Sequence, residues 1–416
     1  MASIIISFVG NQDPYSDHTK EEGSIVTLVK HLLDLKQQIK QILLLGTSGT
    51  KERAEFTKEW LQTELRIPEE SIETLVVAES LSQDPVNILL ASNEAKQAIE
   101  RVGNIINDTD YLELNASSGT PAMKSTWSIL QAAGYAPRSH VWQVRNPKEM
   151  QAGQDRVFAT DVSVLKTEFD RNIIKQQLAD YNYSGALATI RSSSLTTPII
   201  EALLNYGHSR LSFDFNRANA SIVIYKEQID PELRSSIASL RQKNTKALVK
   251  EIYFITEIKL RNQEYCDFLI CVSQFEENIL RLLLSEDGFR IPTNYNESRK
   301  FWVEIGEFDG GKLEQHLKGL NLGDYNIHIQ GDLNVPTMME IIRWINRPMI
   351  PIERIARLRG YCIGRNNYIH RLEGVSHIDE AQTILTNIKG ILKQVTELPD
   401  RNPFDLLNDQ IFGLLL

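Results

Sequence analysis

Five short runs of apolar, mostly β-branched residues, each separated from the next by a stretch of helical periodicity, organise the first 165 residues and leave few folds open to them. The runs are Ile4–Val9, Ile42–Leu45, Thr74–Val77, Tyr111–Leu114 and Val141–Val144, with Val157–Val162 a candidate sixth. Between them, Glu22–Leu35, Lys51–Leu65, Pro85–Val102 and Thr120–Ala133 place apolar residues at the i, i+3, i+4 spacing of helices with one buried face. Strand and helix in alternation build a parallel sheet covered on both sides, because parallel neighbours need a crossover long enough to be a helix. The expected fold of residues 1–165 is therefore α/β and Rossmann-like.

Beyond residue 165 the strand signals thin out, and the expected second domain, residues 166–416, is mainly α-helical. Its periodic segments are Leu165–Ala179, Tyr183–Arg191, Pro198–Tyr206, Pro231–Leu284 with interruptions, Pro336–Ile345, Ile352–Gly374 and Ile378–Val395. Phe289–His328, with Pro292 and Gly306, Gly310, Gly311, Gly319 and Gly323, reads as a long irregular insertion. The apolar stretch Ile411–Leu416 is expected to pack onto the rest of the chain.

Composition narrows the function. Three cysteines, Cys266, Cys271 and Cys362, with no CxxC pair, support neither a disulfide framework nor a cysteine zinc site. The N-terminal apolar run reads as a strand and not as a signal peptide, and no run reaches the roughly 18 residues of a membrane span. A cytosolic protein with no membrane association is expected. A net charge of −9 argues against a general nucleic-acid coat, so an RNA-binding role would need locally concentrated basic charge.

Three segments fall where a parallel sheet binds ligands, beyond the carboxyl ends of its strands. They are Gly10–Pro14, Gly46–Thr50 and Asn115–Met123. Glycine lets a backbone approach phosphate closely, and Ser and Thr add donors, so the set suits a nucleotide. Neither GxGxxG nor GxxxxGK[ST] occurs in these loops, which removes the best signals for dinucleotide cofactors and Walker-type ATP hydrolysis. The plain alternative for each loop is that Ser, Thr and Gly serve only as turn and helix-cap residues. Asn115-Ala116-Ser117-Ser118-Gly119-Thr120-Pro121-Ala122-Met123 resembles the SGT-type motif of CARF domains, the cyclic-oligoadenylate sensors of type III CRISPR systems, and Ile5–Pro14 resembles their first strand and ligand loop. The resemblance implies an activator pocket lined by Asn11, Gln12, Thr47, Ser48, Ser118, Gly119 and Thr120 and completed by a second subunit.

In the helical half, two stretches match Arg-x(4–6)-His, namely Arg365…His370 and Arg371…His377, but only the first has Asn directly after Arg. On a helix Asn366 and His370 are i and i+4 and lie one turn apart on the same face, with Arg365 beside it. Such a set provides a proton carrier, a phosphate-holding cation and an orienting amide. RNA supplies its own nucleophile in the 2′-OH, so no metal is required. The string Arg365-Asn366-x-x-x-His370 resembles the motif of HEPN ribonucleases. That resemblance implies catalytic roles for Arg365 and His370, a supporting one for Asn366, single-stranded RNA as substrate, and ends carrying 2′,3′-cyclic phosphate. It also implies a homodimer, because two copies of the motif face each other in that family.

The two resemblances together describe a CARF–HEPN ancillary ribonuclease. They imply no cofactor or metal beyond the cyclic-oligoadenylate activator, for which cyclic tetra-adenylate is expected ahead of cyclic hexa-adenylate from its frequency in the family. Other residues compete less well. Arg261-Asn262 begins a similar string without the histidine, Glu304/Glu307 or Asp332/Glu340 could be proposed as carboxylate metal pairs, and Arg354, Arg357 and Arg359 read either as a local basic patch or as solvated helix charge. The rival of another class is a nucleotide-sensing regulator whose helical half only dimerises or binds DNA.

Overall fold

The computed structural model describes residues 2–16, 20–103, 105–107, 109–136, 138–292, 294–322, 325–326, 331–346, 352–370 and 375–416, with side chains not described at 163, 295, 321–322, 325–326 and 362–370. Two compact units divide the chain, Met1–Asp170 and Arg171–Leu416.

The first unit is a six-stranded sheet. Its strands are β1 (Ala2–Phe8), β4 (Gln38–Gly46), β5 (Ile72–Val76), β6 (Tyr111–Asn115), β7 (Ser139–Val144) and β8 (Val157–Thr160), and a two-residue ribbon of β2 (Tyr15–Ser16) and β3 (Glu21–Glu22) follows β1. The order across the sheet is β5-β4-β1-β6-β7-β8. The first five strands run parallel, as the alternation predicts. Strand β8 instead pairs antiparallel with β7, Val144 opposite Val157, because the connection between them holds no crossover helix.

Helices α1 (Ser24–Asp34), α2 (Lys51–Leu65), the short α3 (Glu79–Gln83), α4 (Ile88–Gly103) and α5 (Pro121–Ala132) cover the sheet. Alternation along β1 serves both faces. Ile4, Ile6 and Phe8 pack with Ala91, Ala95 and Ile99 of α4 and Met123 and Trp127 of α5, while Ile5 packs with Ile25 and Val29 of α1 and Leu61 of α2. Each of the larger of these side chains (Ile, Leu, Val, Phe, Met), fully buried, contributes roughly 1.5–3 kcal/mol. A buried acid interrupts the apolar layer on the α1 side. Glu113 of β6 accepts hydrogen bonds from Trp142 Nε1 (2.6 Å) and Ser3 Oγ (3.1 Å) and pairs with His140 Nδ1 (3.0 Å).

The second unit is helical, after α6 (Ser163–Ala179), which contains the division between units. It comprises α7 (Tyr183–Arg191), α8 (Pro198–Leu211), α9 (Phe215–Ile222), α10 (Pro231–Arg241), α11 (Thr245–Arg261), α12 (Tyr265–Glu286), α13 (Tyr295–Glu307), α14 (Lys312–Gly319), α15 (Val335–Ile345), α16 (Ile352–His370), α17 (Ala381–Val395) and α18 (Pro403–Leu415). The expectation of an irregular insertion over Phe289–His328 is corrected. Two helices, α13 and α14, lie there, and Phe301, Trp302, Ile305, Leu313 and Leu317 join the main core of this unit. Gly306 and Gly319 lie in the last turns of α13 and α14, and Gly310 and Gly311 take positive φ between the two helices. Ile411 and Leu415 are buried, as the apolar end of the sequence leads one to expect.

At the centre of this unit Arg210 of α8 is 1% exposed and meets Glu251 of α11 in a two-pronged pair, Nε to Oε1 at 2.6 Å and Nη2 to Oε2 at 2.7 Å. Its Nη1 donates to Tyr206 Oη (2.6 Å) and Ser236 Oγ (3.1 Å). Burial alone would favour the discharged guanidinium, but Glu251 and Tyr206 beside it reverse that and hold its pKa above the ordinary value.

Candidate functional site

The three candidate loops leave the carboxyl ends of β4, β1 and β6, which are neighbours in the sheet, so they form one rim. The first and third are tied together by Asp13. Its Oδ2 accepts from Ser118 Oγ and from the Gly10 amide (3.2 Å), and its Oδ1 accepts from the Ile25 amide at the start of α1 (3.2 Å). Burial pushes the Asp13 carboxyl above the usual carboxylate range, while the hydrogen bonds from Ser118, Ile25 and Gly10 and the charge of Lys124 act in the opposite direction. The backbones themselves come close. A Cβ at Gly10 would lie 3.0 Å from the Gly119 nitrogen, and one at Gly119, where φ is +91°, would lie 2.9 Å from Met123 Sδ. Glycine suits Gly10 because backbone stands against its Cβ position, and Gly119 because of its positive φ.

Asn11 and Gln12 are exposed at the rim, and Gln12 Oε1 accepts from Ser16 Oγ (2.6 Å). In the second loop the Thr47 amide donates to Thr50 Oγ1 (2.9 Å) and the exposed Ser48 donates its amide to Ser82 Oγ (2.9 Å), which leaves the Ser48 side chain directed by a loop braced from within. The third loop departs from the simplest expectation. The Ser118 hydroxyl is buried on Asp13, and Gly10 N–H also donates to it (2.8 Å). Thr120 caps α5, accepting from the Met123 amide, and its hydroxyl donates to the Pro85 carbonyl (2.6 Å). Both hydroxyls are engaged by the protein. What this loop offers is backbone, since the amides of Ser118, Gly119 and Thr120 take no hydrogen bond among the described residues, at a helix start that favours anions.

Sequence reasoning does not single out Asp13 or Lys124. The only signal for Asp13 is an acid inside Gly-Asn-Gln-Asp-Pro, and its burial depends on Ser118, 105 residues away.

In the helical unit α16 runs through the whole of the Arg365-Asn366-x-x-x-His370 string, so these residues occupy the helical spacing expected of them. Their side chains, like residues 371–374, lie outside the described ones. Arg261, the start of the weaker string, is built into structure. It pairs with Asp405 (3.0 Å) and Glu257 (3.3 Å), and Asn262 donates to the Asp180 carbonyl (2.7 Å). Glu340 pairs with Arg343 on its own helix. Among the described residues there is no group of three His, Cys, Asp or Glu side chains placed to hold a metal, and no helix long and apolar enough to cross a membrane. Cys266 and Cys271 are free thiols.

No family model matches the sequence, and no curated protein does. The fold does have a counterpart among solved structures. Csm6 from Enterococcus italicus, bound to cyclic hexa-2′-fluoro-hexa-dAMP, superposes with a TM-score of 0.70 at 17% identity, over 100% of this chain and 100% of that one. The chain thus has the fold of Csm6 from end to end, a Rossmann-like unit followed by a helical one.

Proposed function

We propose that this chain is an endoribonuclease of the HEPN type, switched on by a cyclic oligoadenylate bound to its α/β unit and acting in type III CRISPR antiviral defence in the cytosol. The observation that carries the reading is the full-length likeness to Csm6, whose solved structure holds a cyclic hexanucleotide analogue. The activator lies on the rim of three loops, with Asn11, Gln12, Thr47 and Ser48 contributing side chains, and Ser118, Gly119 and Thr120 contributing amides. A second copy of the chain completes the pocket. In the helical unit, His370 accepts the proton of a 2′-OH as that oxygen attacks the adjacent phosphorus of single-stranded RNA. The bond to the 5′-oxygen breaks, that oxygen takes up a proton, and the strand ends in a 2′,3′-cyclic phosphate. Arg365 neutralises charge on the phosphate and Asn366 orients the pair, with the same motif of the second copy facing them.

The deciding experiment incubates purified protein with labelled RNA and DNA of one sequence in excess EDTA, with and without activator. RNA alone should be cut, to cyclic phosphate ends, and only with activator present. A strict requirement for Mg²⁺, or equal cutting of DNA, would transfer the chemistry to carboxylates such as Glu304 and Glu307. A two-fold pocket suits a ring of even number, so cyclic tetra- and hexa-adenylate are both tested. The hexamer comes first because the structural neighbour holds a six-membered ring.

The rim makes its own prediction. Ser118→Ala strips the buried Asp13 of its hydroxyl donor, and Thr120→Ala removes both the α5 cap and the tie to Pro85. Each substitution displaces amides aimed at phosphate, and a lost hydrogen bond to a charged group is worth roughly 1.5–3 kcal/mol. Half-activation should then need about 10- to 100-fold more activator, with a similar plateau of cleavage. Unmoved activation curves would place the pocket elsewhere.

A further inference from the structure

Charge in the helical unit is segregated in a way that the motif alone does not explain. The whole chain carries −9, yet α16 and α17 hold Arg354, Arg357, Arg359, Arg365, Lys389 and Lys393 against a single acid, Glu353, which leans toward Arg343 of α15 (3.6 Å). Arg354, Arg357, Lys389 and Lys393 are exposed. The two helices lie side by side and antiparallel. Asn387, midway along α17, donates to the Arg354 carbonyl near the start of α16 (3.0 Å), whereas Tyr361, further along α16, hydrogen-bonds Glu380 at the N-cap of α17. The Arg354 guanidinium lies over α17, where a Cβ at Gly390 would meet Nη1 at 3.4 Å, next to Lys389 and one turn from Lys393.

Along α16 the steps from Arg354 to Arg357, Tyr361 and Arg365 are three, four and four residues, which keeps all four on one stripe of the helix. At about 1.5 Å of rise per residue the stripe is roughly 16 Å long. The half-buried Tyr361 phenol is held above its ordinary pKa by its hydrogen bond to Glu380 and by burial, with the nearby Arg357 charge acting in the opposite direction. Exposed cations beside an aromatic ring are the chemistry that binds a single strand, phosphates on the cations and a base stacked on the ring. Against an acidic remainder, a polyanion is drawn to this face.

We infer that the α16 stripe, joined by Lys389 and Lys393, is the track along which single-stranded RNA lies as it reaches Arg365 and His370, an assignment that rests on the ribonuclease reading. Arg354 and Arg357 hold phosphates upstream of the cleavage point, and Tyr361 stacks a base between them and the motif. They bind substrate and take no part in the proton transfers.

The test compares the full-length protein with Arg354→Ala/Arg357→Ala and the charge-keeping Arg354→Lys/Arg357→Lys, measuring activated cleavage of a 20-nucleotide RNA across a salt series. With two phosphates of the strand no longer neutralised by a cation, the slope of log KM against log salt should fall by about 1.4, and KM near physiological salt should rise on the order of 10-fold. The kcat should stay within about 2-fold, and the lysine pair should restore the slope, which a misfolded variant could not explain. Unchanged KM and slope in a protein that still cuts RNA would overturn the track and leave the ribonuclease standing. A parallel arm measures binding of fluorescent single-stranded RNA and of a duplex of the same sequence without activator. If the wild type cuts nothing, the ribonuclease reading fails, and the track survives only if single-stranded RNA still binds with a salt slope that the alanine pair reduces. Preference for duplex in that arm also refutes it.

Discussion

Replacing His370 with Ala should lower activated RNA cleavage by about 10²–10⁴-fold, the usual loss when a positioned proton carrier is removed. Arg365→Ala should fall in the same range, because the charge gathering on the phosphate in the transition state loses its cation. Both residues belong to the helical unit, so activator affinity, read by calorimetry, should match the wild type, as should the oligomeric state by light scattering. Arg371→Ala, His377→Ala and Arg261→Ala serve as comparisons. Arg371 and His377 form the match lacking the adjacent Asn, and Arg261 is committed to Asp405 and Glu257. Cleavage by His370→Ala within a few-fold of wild type would remove this string from the chemistry altogether.

The second large effect is on stability. Glu251→Ala leaves Arg210 buried, 1% exposed, with its two-pronged partner gone, and breaking a buried pair from one side costs about 3–5 kcal/mol. For a unit of this size each kcal/mol moves the melting temperature by about 2–4 °C, so the helical unit should melt on the order of 10 °C lower. Removing both charges at once, as Arg210→Met/Glu251→Leu, should recover most of the loss, since no uncompensated charge remains in the core. Thermal unfolding followed by circular dichroism separates the cases. A Glu251→Ala protein melting within about 2 °C of wild type would mean that the cluster relaxes or admits water.

Local chemistry accounts for what could be read from the sequence. The strands announce themselves because a layer buried on both faces has to be almost wholly apolar, as Ile42–Leu45 is and as Ile4–Phe8 is but for Ser7. Loops rich in Gly, Ser and Thr mark where those strands stop. The spacing of Arg365, Asn366 and His370 is read directly because a helix converts sequence separation into a face. Direction is harder. Residues 145–156 contain Pro147 and Gly153 and no helical period, a sign that β8 would return antiparallel, whereas β-branched content alone says only that it is a strand.

The glycines near residue 310 mislead because a glycine that ends a helix and one that prevents it look alike, while Phe301, Trp302, Ile305, Leu313 and Leu317 carry the helical spacing between them. Least legible are the groups whose role is set by distant partners. Thr120 is spoken for by Pro85, 35 residues earlier, and Ser118 by Asp13, so nothing adjacent in the chain tells an engaged hydroxyl from one facing a ligand. Glu113 is likewise a polar residue inside a strand until Trp142 and His140 are seen to surround it.

The close meeting of Gly10 with Gly119 bears on how such a rim can change over generations. A side chain at Gly10 would press on the backbone of the third loop, Gly119 holds a positive φ against Met123 and Phe8, and Asp13 and Ser118 bind the first and third loops again. A lineage carrying this chain can therefore reshape the first and third loops only by paired replacements, passing through single changes that damage both. The second loop is braced within itself and by Ser82, with no such tie to the other two among the described residues, and is free to drift alone. Change in what this rim accepts has its easiest route through Thr47 to Thr50, and descendants of this rim should differ there first.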